Sequence, residues 1–209
     1  MCNLYDIGSA RRNRGDRWEA SLERLPRVPA DGYARRKTDP CPVVLRQADG
    51  PWAMSMRWGF ERPYNLAVNN ARLEQLDGPW ERPWRERRRC LIPLSAWYEW
   101  HGPTGHKQTF AFVSTDGSWL WAAGIWEEGT PGASFAMLTR PAAPGLSFVH
   151  DRMPALLAPE DFDAYFTEEN PRDLVARESF AVSVFRCHNP LLRLSTHRGP
   201  EPIEMLPGF

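Results

Sequence analysis

A cysteine at position 2 offers chemistry that no internal cysteine has. Its side chain is small, the kind from which the initiator Met1 is ordinarily trimmed. Cys2 would then carry a thiol and a free α-amine on adjacent carbons. Such a pair takes an aldehyde in two steps. The amine forms a Schiff base, and the thiolate closes a five-membered thiazolidine. The amine titrates near ~8 and the thiol near ~8.5, so both groups work around neutral pH. The second step is intramolecular, with an effective molarity on the order of 10⁵ M or more in good geometry. On position alone, the plainer reading is that Cys2 is an ordinary early residue.

Placing such a terminus against partners requires folded elements, and the chain supplies many short ones. Trp18, Leu22 and Leu25 recur at helical spacing, predicting a helix over Arg17 to Leu25. A loop with Pro26, Pro29, Asp31 and Gly32 follows. Val43 to Arg46 and Trp52 to Arg57 read as strands joined at Asp49–Gly50, a hairpin turn signal. Leu66 to Asn69 reads as a short strand, and Pro79 to Arg88 as a helix with proline near its first position. Then come the β-branched or aromatic runs Cys90 to Ile92, Trp97 to Trp100, Thr109 to Ser114, Trp119 to Trp126 and Ser134 to Thr139. Ala158 to Phe166 and Pro171 to Arg177 read as helices, the second capped by Asn170. Phe180 to Phe185 reads as a late strand. The expected class is α+β: a single mixed, β-rich domain over residues 1–209, with a curled-sheet or barrel-like core and helices packed outside.

With 26 basic and 26 acidic residues, the chain has no bulk attraction to nucleic acid or membrane. Arg11, Arg12, Arg14 and Arg17 cluster early, and Arg82, Arg85, Arg87, Arg88 and Arg89 cluster mid-chain. Such runs usually mark solvated helix faces, and a local basic groove is still compatible with zero net charge. No run approaches the ~18 apolar residues of a membrane span, and no signal peptide is read at the start. Cys2, Cys41, Cys90 and Cys187 lie far apart, without a C-x-x-C pair, so free thiols in a reducing cytoplasm and no metal site are expected. His101, His106, His188 and His197 read as surface residues. No motif suggests a cofactor.

Four stretches stand out together: Met1–Cys2; Asn69–Asn70–Ala71–Arg72; Trp97–Tyr98–Glu99–Trp100; and His150–Asp151–Arg152–Met153–Pro154. Trp58–Gly59–Phe60 and Arg89 to Pro93 lie around them. In this order the set resembles the SRAP family, the SOS-response-associated peptidases, over roughly three quarters of the chain. The resemblance implies a mixed α/β domain with a barrel-like core and a channel for single-stranded DNA containing abasic sites. It implies a thiazolidine crosslink between Cys2 and the ring-opened abasic sugar, with lyase behaviour and suggested autoproteolytic loss of Met1. A monomer, associated with the nucleoid when engaged on DNA, is expected.

The residue types fit that chemistry. Glu99 would shuttle protons, since aromatic neighbours would desolvate it and raise its pKa. Without the resemblance, strand alternation favours an outward-facing carboxylate. His150 can exchange a proton near neutral pH, although lone histidines are more often structural. Asn70 would orient the sugar hydroxyl or the Cys2 amine, or else serve a turn. Arg72 and Arg152 are candidates for flanking phosphates. A structural ion pair, for instance with Asp151, is the alternative for Arg152. Trp58 and Phe60 could stack on bases beside the gap, with core packing the better expectation for at least one of them.

The chain departs from the family pattern in places. Asn3–Leu4–Tyr5 follow the cysteine where many members have glycine and arginine, so Arg11, Arg12 or Arg14 would have to supply a nearby cation. An Asn-x-Ala-Pro stretch survives only as Thr38–Asp39–Pro40, leaving Pro40 as a weak DNA contact. The segment from Gly59 to Asn70 is short. Two rival functions fit parts of the sequence: an amidohydrolase with an N-terminal cysteine nucleophile, and a non-catalytic single-strand binding module.

Overall fold

The computed structural model describes residues 2–8, 15–25, 32–130, 132–178 and 180–204. Met1, Arg11, Arg12, Arg14 and the loop residues Pro26, Pro29 and Asp31 lie outside the described residues. The strands in chain order are β1 (Leu4–Asp6), β2 (Ala34–Arg36), β3 (Pro40–Gln47), β4 (Gly50–Trp58), β5 (Phe60–Arg62), β6 (Asn65–Val68), β7 (Asn70–Arg72), β8 (Arg89–Leu94), β9 (Ala96–His101), β10 (Gln108–Ser114), β11 (Leu120–Glu127), β12 (Ser134–Pro141), β13 (Arg152–Pro154), β14 (Val182–Cys187) and β15 (Pro202–Glu204). The helices are α1 (Arg17–Ser21), α2 (Glu81–Arg85), α3 (Phe162–Thr167) and α4 (Arg172–Ala176).

The fold is α+β, with a partly closed β-rich core and helices packed outside. One sheet runs β11-β8-β3-β4-β12-β13, with β7 also on β12. Because β11 pairs with β12 as well, five of these strands return on themselves as a ring. Gly124 marks the tight closure. A Cβ there would lie 2.8 Å from both Cys90 Sγ and Ile92 Cδ1. A six-stranded sheet, β15-β14-β10-β9-β1-β2, packs on the ring.

Period-two alternation divides the ring strands between two apolar clusters. Cys90, Ile92 and Leu94 join Tyr5, Trp97 and Phe112 of the other sheet. Leu91, Trp121 and Ala123 join Trp18, Trp84, Phe162 and Val175 of the helices. Asp16 caps α1 by accepting from the Trp18 and Glu19 N–H groups at 2.7 and 3.0 Å. The helix then tightens into a 3₁₀ turn over Leu22–Arg24.

Several local expectations shift. The hairpin loop is Ala48–Asp49, and Gly50 (φ +116°) opens β4, because glycine accepts the positive φ just past the turn. The second predicted helix shortens to Glu81–Arg85, since Arg87 takes a φ of +53° and turns the chain toward β8. Asn170 does not cap α4, which begins behind Pro171 with no side-chain cap bond. The mid-chain arginines are not one solvated face. Arg82 and Arg85 pair with Glu86 and Glu81, but Arg89 is buried and donates to the carbonyls of Tyr165, Glu168 and Glu169. His197, expected at the surface, is buried.

Candidate active site at the amino terminus

Cys2 precedes β1, a strand held between β2 and β9 with Tyr5 opposite Trp97. Its side chain is only 1% exposed, and its thiol donates weakly to the Leu4 carbonyl at 3.4 Å. Two side-chain amides converge on the Cys2 carbonyl oxygen: Asn70 Nδ2 at 2.8 Å and Asn69 Nδ2 at 3.0 Å. A carbonyl only accepts, so both amides must present nitrogen there. Asn69 also donates to Asn3 Oδ1 at 3.2 Å.

The amides are rigidly mounted. Asn70 starts β7, which runs parallel to β12 with Asn70 opposite Met137. The Asn69 carbonyl accepts from the Met137 N–H and from Trp58 Nε1. Gly59 (φ +113°) makes the sharp exit from β4, where a Cβ would come within 3.2 Å of Ala67 Cα. Asn70 Oδ1 is buried with no hydrogen-bond partner among the described residues.

Glu99 lies on β9 and is 3% exposed, so the outward-facing alternative is excluded. Burial raises its carboxyl from 4.5 to about 7, the amino-terminal charge pulls it down, and Asp151 adds to the rise. Burial also pushes the Cys2 thiol well above its ordinary value, and the Glu99 charge is the second cause. The two groups therefore share one electrostatic environment.

His150 stands just before β13. Burial and the amino-terminal charge lower its pKa, while Asp151 opposes them. Its Nδ1 lies 3.0 Å from the Arg152 N–H and 2.8 Å from Asp151 Oδ1. One nitrogen cannot serve both at once. The neutral ring accepts from Arg152, and the charged ring donates to Asp151.

The candidate DNA contacts separate. Arg72 is exposed at the end of β7, two residues from Asn70, and Pro40 is exposed at the start of β3. Arg152 is not a free cation. Its guanidinium holds Glu74 through two bonds of 2.6 and 3.0 Å and the Thr139 carbonyl at 2.6 Å. The ion pair is with Glu74 rather than Asp151. Trp58 and Phe60 are both fully buried, Trp58 edge-on to Tyr5 and Phe60 against Trp80, so neither presents a face to a base. Exposed apolar side chains occur instead at Tyr64 and Leu66, 76% and 68% exposed, around the turn joining β5 to β6, a few residues before Asn69 and Asn70. Arg57 braces that hairpin through the Leu66 carbonyl at 2.6 Å. Asn69 was missed as a second amide on Cys2, although the Asn69–Asn70 doublet was its signal. Among the described residues no cluster of histidine, cysteine and carboxylate side chains could hold a metal. Among the described residues no helix is long and apolar enough to cross a membrane.

Comparison with known proteins adds an independent finding. The family model described as SOS response associated peptidase (SRAP) matches residues 1–188. The chain is 34% identical over 125 residues to the abasic site processing protein YMR114C of Saccharomyces cerevisiae, covering 53% of this chain and 33% of the yeast protein. It is 28% identical over 124 residues to the abasic site processing protein YedK of Escherichia coli, covering 56% and 54%. It is 27% identical over 171 residues to the abasic site processing protein YoqW of Bacillus subtilis, covering 73% and 74%. The matched part thus spans about a third of the yeast relative and about half of the Escherichia coli one. The fold is shared with crystal structures from Bordetella bronchiseptica (TM-score 0.70, 21% identity, 90% of this chain and 100% of that one) and Bacteroides thetaiotaomicron (TM-score 0.70, 14% identity, 95% and 100%). The chain belongs to the SRAP family.

Proposed function

We propose that this SRAP-family chain processes abasic sites in single-stranded DNA by capturing the ring-opened sugar on Cys2 as a thiazolidine. The observation that carries the reading is the convergence on residue 2. Two buried asparagine amides fix its carbonyl, and a carboxyl with a pKa of about 7 shares its environment. The names of the three relatives point to the same substrate.

Hydrolytic loss of Met1 gives Cys2 its α-amine. Glu99, ionised, takes a proton from the ammonium, and the amine attacks the aldehyde carbon. Glu99 returns that proton to the carbinolamine hydroxyl, which leaves as water. The Cys2 sulfur then attacks the imine carbon as its proton passes to nitrogen, closing the ring. One water is lost overall. Asn70 Oδ1 would accept a hydrogen bond from the amine or the sugar. Neutral His150 would move the proton that opens the cyclic hemiacetal, or the one removed in strand-cleaving elimination. Arg72 would meet a flanking phosphate, with Tyr64 and Leu66 against neighbouring bases. A cysteine amidohydrolase needs a ready thiolate, and burial beside Glu99 drives the thiol the other way.

The test is intact mass after mixing with an abasic single-stranded oligonucleotide. The expected product is protein lacking Met1 plus oligonucleotide minus one water, absent with Cys2→Ala. An adduct that survives Cys2→Ala removes the mechanism. A strand-binding module alone gives no denaturation-resistant product.

A further inference from the structure

The sheet that carries Glu99 holds a second polar cluster on its other face. Asp6 ends β1 and is fully buried. Its carboxylate accepts the Tyr98 O–H at 2.6 Å, and His197 Nε2 lies 3.0 and 2.8 Å from its two oxygens. The Tyr98 oxygen is 3.0 Å from the same nitrogen. A carboxylate has no proton to give, so Nε2 bears hydrogen and donates. Burial and the neighbouring Asp6 push the Tyr98 hydroxyl far above its ordinary pKa, so it stays a donor. Leu4, Ala34, Ala96 and Phe185 pack beside Tyr98.

Alternation connects this cluster to the site. On β9, Trp97 and Glu99 face one way and Tyr98 the other. On β1, Tyr5 faces the Cys2 cluster, while Leu4 packs beside Tyr98. Yet β1 is three residues long and meets β9 through two pairs, Tyr5–Trp97 and Asp6–Ala96. A slip of one residue would turn every side chain of β1 to the opposite face. The His197 carbonyl also accepts the Tyr33 N–H at 2.9 Å, and the Tyr33 carbonyl accepts the Ile7 N–H at 3.2 Å. His197 thus reaches the end of β1 directly through Asp6 and indirectly through Tyr33, whose carbonyl holds Ile7.

We infer that Asp6, Tyr98 and His197 are positioning residues, a polar clasp that fixes the register of β1 on β9 and so sets Cys2 relative to Glu99 for aldehyde capture. His197 stands beyond residue 188, where the family match ends. The inference rests on the crosslinking reading given above.

The experiment compares the full chain with Tyr98→Phe, His197→Ala and His197→Gln, the glutamine amide being able to offer Asp6 an N–H. Maximal adduct rate per folded molecule is read on an abasic oligonucleotide, and Kd on its unreactive tetrahydrofuran analogue. Amide exchange is followed at Tyr5 and Asp6. Tyr98→Phe and His197→Ala should lower the maximal rate by about tenfold to a hundredfold with Kd nearly unchanged, while His197→Gln recovers most of it. Exchange at β1 should rise in the slow variants while β8 stays protected. Wild-type rates and wild-type β1 exchange in Tyr98→Phe and His197→Ala would overturn the clasp. If the unmodified chain itself forms no adduct, the crosslinking reading fails, and unchanged exchange at β1 would then reject the clasp on its own.

Discussion

Replacing Glu99 with glutamine should stabilise the protein at alkaline pH while disabling it. The variant keeps the shape and removes the ionisation. In the folded chain the carboxyl rises from 4.5 to about 7, chiefly through burial. The folded state therefore holds this proton more tightly than the unfolded chain does. Its contribution is fully present below about pH 4.5 and is lost as pH rises through about 7. At about 1.36 kcal/mol per tenfold, that gap sets a ceiling of roughly 3 kcal/mol. Glutamine has no proton to lose, so its stability relative to wild type should climb by up to that amount across the window and then level off. For a chain of this size, about 2–4 °C per kcal/mol converts the ceiling to roughly 6–12 °C in midpoint. Paired urea and thermal melts from about pH 4 to pH 8.5 at constant ionic strength measure it. A difference between the two proteins that does not change with pH refutes the reasoning. In the same variant the adduct rate at neutral pH should fall by about a hundredfold or more, and the rise of rate through about pH 7 should vanish.

Other outcomes follow from where the cations and rings lie. Arg72→Ala should weaken single-strand binding regardless of sequence and reduce the slope of log K against log salt by about 0.7, and an unchanged slope argues against a phosphate contact. Arg152→Ala should leave that slope alone and instead cost about 1.5–3 kcal/mol in urea melts, from lost charge-assisted bonds to the half-exposed Glu74 and the Thr139 carbonyl. Tyr64→Ser should weaken binding to an abasic oligonucleotide by about 1–3 kcal/mol with an unchanged melt, and equal affinity would remove the ring from the interface.

The sequence displays local chemistry well and long-range pairing poorly. The barrel-like core was legible because β3, β4, β8, β10, β11 and β12 are long enough to show alternation and turn signals. Strands β1, β2, β13 and β15 are three residues each, too short for a period of two to register, and they form only against distant partners. The same limit applies to side chains. Arg152 finds Glu74 across 78 positions, and His197 finds Asp6 across 191. Nothing near either residue announces those partners. Trp58 and Phe60 carry the opposite ambiguity, since an aromatic in a strand reads alike whether it faces a core or a ligand. The turn between β5 and β6 exposes Tyr64 because Pro63 and Tyr64 form the turn itself, outside any periodic run.

A buried thiol held protonated suits a reaction in which the amine must act first. A ready thiolate at residue 2 would be open to oxidation and to passing electrophiles. Here burial, reinforced by the Glu99 charge, suppresses that form, and the cost is a slower bimolecular attack by sulfur. Ring closure is not bimolecular. Once the imine exists, sulfur and carbon are already joined through three atoms, Cβ, Cα and nitrogen, and proximity replaces intrinsic nucleophilicity. The asparagine pair serves the same order of events. By holding the Cys2 carbonyl rather than its sulfur, Asn69 and Asn70 fix the backbone on which both reacting groups would be mounted. On the proposed mechanism, Glu99 would be the group whose ionisation starts the sequence, because its charged form can take the ammonium proton.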